Sequence, residues 1–140
     1  MYRHDYILRL IERLGASLVA LRDRILKRAR EDTTVHAEIV EIAQQAGLDL
    51  AVARQLAPEL LLAWLAPTGE PDPAKLWLMA ELLYLDGLHA KEAGSEWRGN
   101  LERALALLAR LPEDWRPGPA FPAVGERASE IRELTGLSQR

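Results

Sequence analysis

Apolar residues recur through residues 5–28, DYILRLIERLGASLVALRDRILKR, at Ile7, Ile11, Leu14, Leu18, Leu21 and Ile25, in alternating steps of four and three. That pattern is an apolar seam on one side of a single long helix. Leu8, Leu10, Val19 and Leu26 lie beside the seam and widen it beyond two positions in seven. So wide a stripe suits burial in a globular bundle better than a strict coiled-coil pair. Each seam residue contributes roughly 1.5–3 kcal/mol when fully buried, and a lone helix of this length is marginal in water. The seam therefore predicts a cover, either the rest of the chain or a second copy. Gly15 costs about 1 kcal/mol relative to Ala inside a helix. It marks either a close helix crossing or a tolerated defect.

The pattern stays helical beyond residue 30. Glu31, Asp32, Thr33 and Thr34 offer capping groups. Val35, Ile39, Ile42, Ala43 and Ala46 then share one face of a second helix, which Gly47 is suited to end in the left-handed conformation. Asp49 caps a short helix through Leu56, and Pro58 suits the first turn of another, Glu59 to Ala66. The run PELLLAWLAP is apolar almost all round and predicts burial. After a loop at 67–71, Asp72-Pro73 opens a helix from Ala74 to Ala93 with Leu76, Met79 or Ala80, Leu83, Gly87 and Ala90 on its tight face. Gly94 ends it and Ser95 is placed to cap the next, Glu96 to Leu111, which carries Trp97, Leu101, Ala104, Leu105, Leu108 and Leu111 in helical period. So short a link makes the pair an antiparallel hairpin. Pro112, Pro117, Pro119 and Pro122 impose an extended strap pinned by Trp115 and Phe121. A last helix, 123–135, carries Val124, Ala128, Ile131 and Leu134 and ends at Gly136.

Composition agrees with this reading. A chain of 140 residues with 49% hydrophobic and 28% charged content fits one globular domain. Leu and Ala far outnumber Val and Ile, which favours helix over sheet. Cysteine is absent, so disulfides, thiolate nucleophiles and thiolate metal sites are excluded. No secretory pattern and no run of 18 apolar residues is present, so the expectation is a cytoplasmic protein without a membrane span. Charge is uneven: residues 1–30 carry a net +5 and residues 31–140 a net −8.

Four motifs invite a chemical reading. Residues 42–56, IAQQAGLDLAVARQL, resemble the helix-turn-helix of DNA-binding repressors. Val52 sits one position early for that motif, Leu50 and Ala51 would face the groove, and residues 31–72 hold Arg54 as their only Lys or Arg against eight Asp and Glu. Phosphate contacts dominate DNA affinity, so the charge has the wrong sign, and the segment reads as a helical corner with a Gly cap. Arg22, Arg24, Lys27, Arg28 and Arg30 form a basic run at the end of the first helix. It complements the helix dipole, and is also the one candidate surface for nucleic acid or an anionic partner. His4, His36 and His89 fall in different helices, without the Glu-x-x-His pairs of metal-binding bundles. No Gly-x-Ser-x-Gly elbow or phosphate-cradling Gly-rich loop is present, and Glu38 with Glu41, and Glu81 with Asp86, read as solvated helix-face charges. The expectation is no catalytic residue, no metal and no cofactor.

Asp5-Tyr6-Ile7-Leu8-Arg9-Leu10-Ile11-Glu12-Arg13-Leu14 resembles the opening of an uncharacterised bacterial family of small helical proteins that begin D-Y-I-x-R-x-I-E-x-L. The 74–111 hairpin looks like the degenerate tetratricopeptide unit of that family, with Gly87, Gly94, Gly99, Ala106 and Pro112 near its small and terminal positions. It departs at Arg103, which stands where an aromatic is usual, and at Pro112, one residue late. The resemblance implies a helical fold and no established activity.

The expected architecture is an all-α, single-domain bundle of six to seven helices. Its spine is the long helix 1–30, followed by three short helices (35–66), the hairpin (74–111), the strap (112–122) and a C-terminal helix (123–135). The expected function is a non-enzymatic protein–protein interaction module, docking an unknown protein or self-associating through Ile7, Ile11, Leu14, Leu18, Leu21 and Ile25. The alternative is binding of nucleic acid or an anionic surface through Arg22, Arg24, Lys27, Arg28 and Arg30.

Overall fold

The computed structural model describes residues 2–28, 34–67, 69 and 71–136, with side chains from residue 6 to 27 in the first stretch. Among these residues there are seven helices and no strand: α1 (Tyr2–Arg28), α2 (Val35–Gln45), α3 (Leu50–Ala53), α4 (Pro58–Leu65), α5 (Pro73–Ala93), α6 (Arg98–Leu108) and α7 (Val124–Thr135). Their boundaries follow local chemistry. Pro58 and Pro73 stand in first turns, where a missing N–H costs nothing. Asp49 accepts from the Val52 N–H at 3.1 Å, and Asp72 from the Ala74 N–H at 3.0 Å. Gly47, Gly94 and Gly136 end α2, α5 and α7 with φ of 73°, 80° and 80°, the left-handed region that favours glycine. The capping role expected of Ser95 goes elsewhere. Its N–H closes α5 on the Ala90 carbonyl at 2.8 Å, and Glu96 accepts from the Gly99 N–H at the start of α6 instead. The capping groups expected at Glu31, Asp32 and Thr33 lie outside the described residues.

The spine is α5 and not α1. Ala74 and every residue from Leu76 to Leu88 is buried. The helix is apolar on all sides, so no face of it can be left to water, and α1, α2 and α6 pack around it. α1 runs unbroken through Gly15, but it is amphipathic and lies on the outside of this arrangement, giving α5 one stripe and solvent the rest. Ile7, Ile11, Leu18, Leu21 and Ile25 are buried, as is Leu10, while Leu14 is half-buried and Val19 and Leu26 are exposed. Buried side chains from all seven helices form one hydrophobic core.

α6 returns alongside α5, the most extensively packed pair of helices, with Gly87 facing Leu101 and Asp86 facing Asn100. A Cβ at Gly87 would come within 2.9 Å of Leu101 Cδ2, so glycine there permits the close approach. Gly15 has no such duty, since a Cβ would meet only Phe121 at 3.9 Å. The strap is pinned as expected, with Phe121 buried edge-on against Trp77, ring centroids 4.8 Å apart, and Trp115 half-buried, but it is not extended: the Pro112 and Gly118 carbonyls accept from the Trp115 and Phe121 N–H groups in tight turns. The Trp115 and Glu113 carbonyls accept from Val124 and Gly125 at the start of α7. α4 departs from expectation. Only Leu61 and Leu65 are buried, on the side towards α6, with Leu62 partly covered, while Leu60 and Trp64 are exposed. A short helix at the margin of the bundle has one side to bury, whatever its composition.

Candidate functional site

The six seam residues do not form a partner surface. Five of them are core and the sixth is half-covered by the same chain. The basic run is partly consumed as well. Arg24 makes a two-pronged pair with Glu38 (3.0 and 2.8 Å) and also donates to Thr34 Oγ1, tying the end of α1 to the start of α2. Arg22 donates from Nε to the Tyr84 hydroxyl at 2.7 Å and from Nη2 to Glu130 at 3.1 Å. Lys27 is exposed; the Arg28 side chain and Arg30 lie outside what is described. Two of the five cations are thus held by carboxylates of their own chain.

The larger departure concerns Glu81 and Asp86, which are not solvated helix-face charges. Glu81 is 3% exposed and Asp86 4%. Both stand on the all-round apolar α5, where any side chain enters the interior. A buried carboxylate is costly unless paired, and the other helices supply the partners. From α7, Arg127 (5% exposed) grips Glu81 with Nε at 3.2 Å and Nη2 at 3.0 Å. Its Nη1 donates to Glu130 at 2.8 Å and to the Tyr84 hydroxyl at 3.2 Å, and the guanidinium lies 4.2 Å from the Tyr84 ring centroid. The Tyr84 hydroxyl donates in turn to Glu130 Oε2.

These charges perturb one another. Burial pushes the Glu81 carboxyl above its usual range, against the pull of Arg127. Burial pushes the Tyr84 phenol up too. Burial opposes the charge on Arg127, but Glu81, Tyr84 and Glu130 outweigh it and hold the guanidinium firmly protonated. At Glu130, burial favours the acid, yet the hydrogen bond from Tyr84 and the charge of Arg127 outweigh it and lower the pKa. With two guanidinium groups against two carboxylates, the cluster is neutral and every buried side-chain polar atom among the described residues has a partner. It fastens α1, α5 and α7 together. A cleft of about 330 Å3 borders it beneath the strap at Phe121 and Pro122.

Asp86 is treated differently. His36 Nδ1 from α2 lies 2.9 Å from its Oδ1, and Asn100 Nδ2 from α6 donates to Oδ2 at 3.0 Å. Arg54 Nε, at the end of α3, lies 3.4 Å from Oδ2. His36 and Arg54 are both exposed, so the carboxylate is interior while two of its partners reach water. Two open clefts meet at Ala51 and Arg54. One, about 420 Å3, lies between α2 and the 47–54 segment. The other, about 650 Å3, reaches Asn100 and Arg103 on α6. Arg103 Nε donates to the Leu56 carbonyl at 2.6 Å, a polar tie where a tetratricopeptide-like pattern expects an aromatic.

The exposed side of α4 is a third feature. Leu60 (58% exposed) and Trp64 (38%) stand one turn apart, with Ala63 between them also in solvent. The helix-turn-helix-like segment is a corner: α3 is a single turn of four residues, and Leu50, which a recognition helix would turn towards the groove, is core. Among the described residues no three His, Asp or Glu side chains are grouped to hold a metal ion, and no helix is long and apolar enough to cross a membrane.

Sequence periodicity missed Glu81, Asp86 and Arg127. A signal was available for the two acids. KLWLMAELLYLDGLHA offers no polar face on which they could be solvated, so each needed a counter-charge from elsewhere. Nothing in the chain order pointed to α7 as the source. Compared with known proteins, the chain matches no family model, no curated protein and no solved structure.

Proposed function

We propose that the protein is a non-enzymatic protein-interaction module that docks its partner through the outer face of α4. One observation supports the reading: Leu60 and Trp64 are exposed together, 58% and 38%, on a helix whose only charged residue is Glu59. A Leu–Trp pair one turn apart is the kind of anchor that carries binding energy at interfaces, and contiguous apolar exposure marks such sites. The charge around it indicates the partner. Residues 31–72 hold one Arg against eight Asp and Glu. A helix with an apolar stripe flanked by Lys and Arg complements that surface. A second copy would bring two acidic segments together. Self-association through the α1 seam has no place in this reading, because the seam is interior.

The test uses a fluorescent synthetic Leu/Lys amphipathic peptide. Wild type should bind it, more weakly as salt rises, and Leu60→Glu with Trp64→Glu should abolish binding with helicity and unfolding midpoint unchanged. Equal binding by the double variant, or none by the wild type, overturns the reading. A dimer in light scattering that Leu60→Glu dissolves would assign the face to a second copy instead.

A further inference from the structure

The cleft between α2 and the 47–54 segment, two of whose lining residues, His36 and Arg54, are held by Asp86, has the composition of a ligand site. Val40, Leu48 and Ala51 supply apolar wall, and His36 and Arg54 supply polar groups. At about 420 Å3 it is of the size that takes small molecules, and a mainly apolar lining with few fixed polar groups is their usual surround. Asp86 does the fixing. It is buried, and it engages His36 Nδ1 and Arg54 Nε from one side. The guanidinium meets Asp86 through Nε at 3.4 Å, and among the described residues no hydrogen bond occupies its two amino groups; the side chain is exposed. Asp49, the carboxylate that lines the cleft, accepts from the Val52 N–H as the cap of α3. Among the residues lining the cleft, Gln44 and His36 are exposed polar groups as well, but Arg54 is the one Lys or Arg, and its fork geometry matches a carboxylate.

We propose that this cleft binds a small amphipathic carboxylic acid, with its carboxylate on the amino groups of Arg54 and its short hydrocarbon tail along Val40, Leu48 and Ala51. The inference is independent of docking at α4, since no α4 residue lines the cleft.

Titration calorimetry of the full chain with hexanoate, acetate and hexanol tests it. Hexanoate should bind, and acetate and hexanol, each lacking one half of the recognition, should bind at least about tenfold more weakly. Arg54→Gln should weaken hexanoate about tenfold, the size of one lost charge-assisted contact. Ala51→Glu, which places a carboxylate at an exposed cleft edge, should abolish it, while Leu60→Glu with Trp64→Glu should leave it unchanged. No hexanoate binding at millimolar concentration overturns the proposal. So does equal binding by Arg54→Gln and Ala51→Glu, or hexanol binding as tight as hexanoate.

Discussion

Glu81 and Asp86 stand five residues apart on one helix and are equally hidden from water, yet the protein neutralises them in opposite ways. Glu81 is closed in. Its counter-ion Arg127 is itself buried, and Tyr84, Glu130 and Arg22 complete a neutral cluster that leaves no polar group unmet. Asp86 is interior, but two of its three partners, His36 and Arg54, remain at the surface beside open clefts. The first arrangement mainly holds helices together, because Glu81 and Arg127 are both buried and bonded to each other. The second orients exposed groups from a rigid base, which is what a binding site needs. Burial of a charge therefore does not identify a functional site; exposure of its partners does.

Removing the counter-ion should separate the two most sharply. Arg127→Met leaves Glu81 and Glu130 without their shared partner in the interior and should cost about 3–5 kcal/mol in denaturant unfolding. Arg54→Gln should cost under about 1 kcal/mol, because solvent screens that pair. Equal costs would erase the distinction between closed and open clusters.

An intermediate effect is expected at Gly87, next to Asp86. Gly87→Ala forces Leu101 away from α5 and should destabilise by roughly 1–3 kcal/mol, despite the better helix propensity of Ala. Gly15→Ala, whose methyl would meet Phe121 at an ordinary van der Waals distance of 3.9 Å, should stabilise by up to about 1 kcal/mol. Thermal unfolding of both variants would show whether the α5–α6 contact beside Asp86 is as tight as it looks.

The smallest effect lies in the acid limb. The lowered pKa of Glu130 means that its stabilisation is complete above the usual carboxylate range and is lost as pH falls through the folded-state value. Glu81, with its pKa raised by burial, acts in the opposite sense: its contribution is present below the usual range and lost as pH rises through the folded-state value. Glu130→Gln should therefore flatten the fall in stability between roughly pH 5 and pH 3, measured by chemical denaturation. An unchanged slope would mean that Glu130 is not held ionised by Tyr84 and the arginines.

Much of this could be read from the chain. The seam of α1, the proline and aspartate starts, the glycine stops at 47, 94 and 136, and the hairpin at 94–97 all express preferences that act within a few residues. The strap was legible too, because two aromatics among prolines must bury somewhere. Of the expectations that the structure overturns, three share a reason. α4 was expected inside because its residues are apolar, α1 was expected at the centre because it is long, and Glu81 and Asp86 were expected in water because they are charged. Each inference took a helix by itself.

What the sequence by itself determined is the set of helices, most of their starts, the glycine stops, and which stripe of α1 is apolar; α3 and α6 end three residues earlier than their apolar pattern, at Ala53 and Leu108. Those are short-range matters of periodicity, capping and backbone freedom. The tertiary structure decided which helix became the centre, which apolar residues were left over at Leu60 and Trp64, and that Arg127, forty-six residues from Glu81, would be its counter-ion. Inside and outside are properties of the assembled bundle. Of the two helices apolar on nearly every side, the 21-residue α5 takes the middle because it is long enough for the others to pack along it, and the eight-residue α4 is left at the margin.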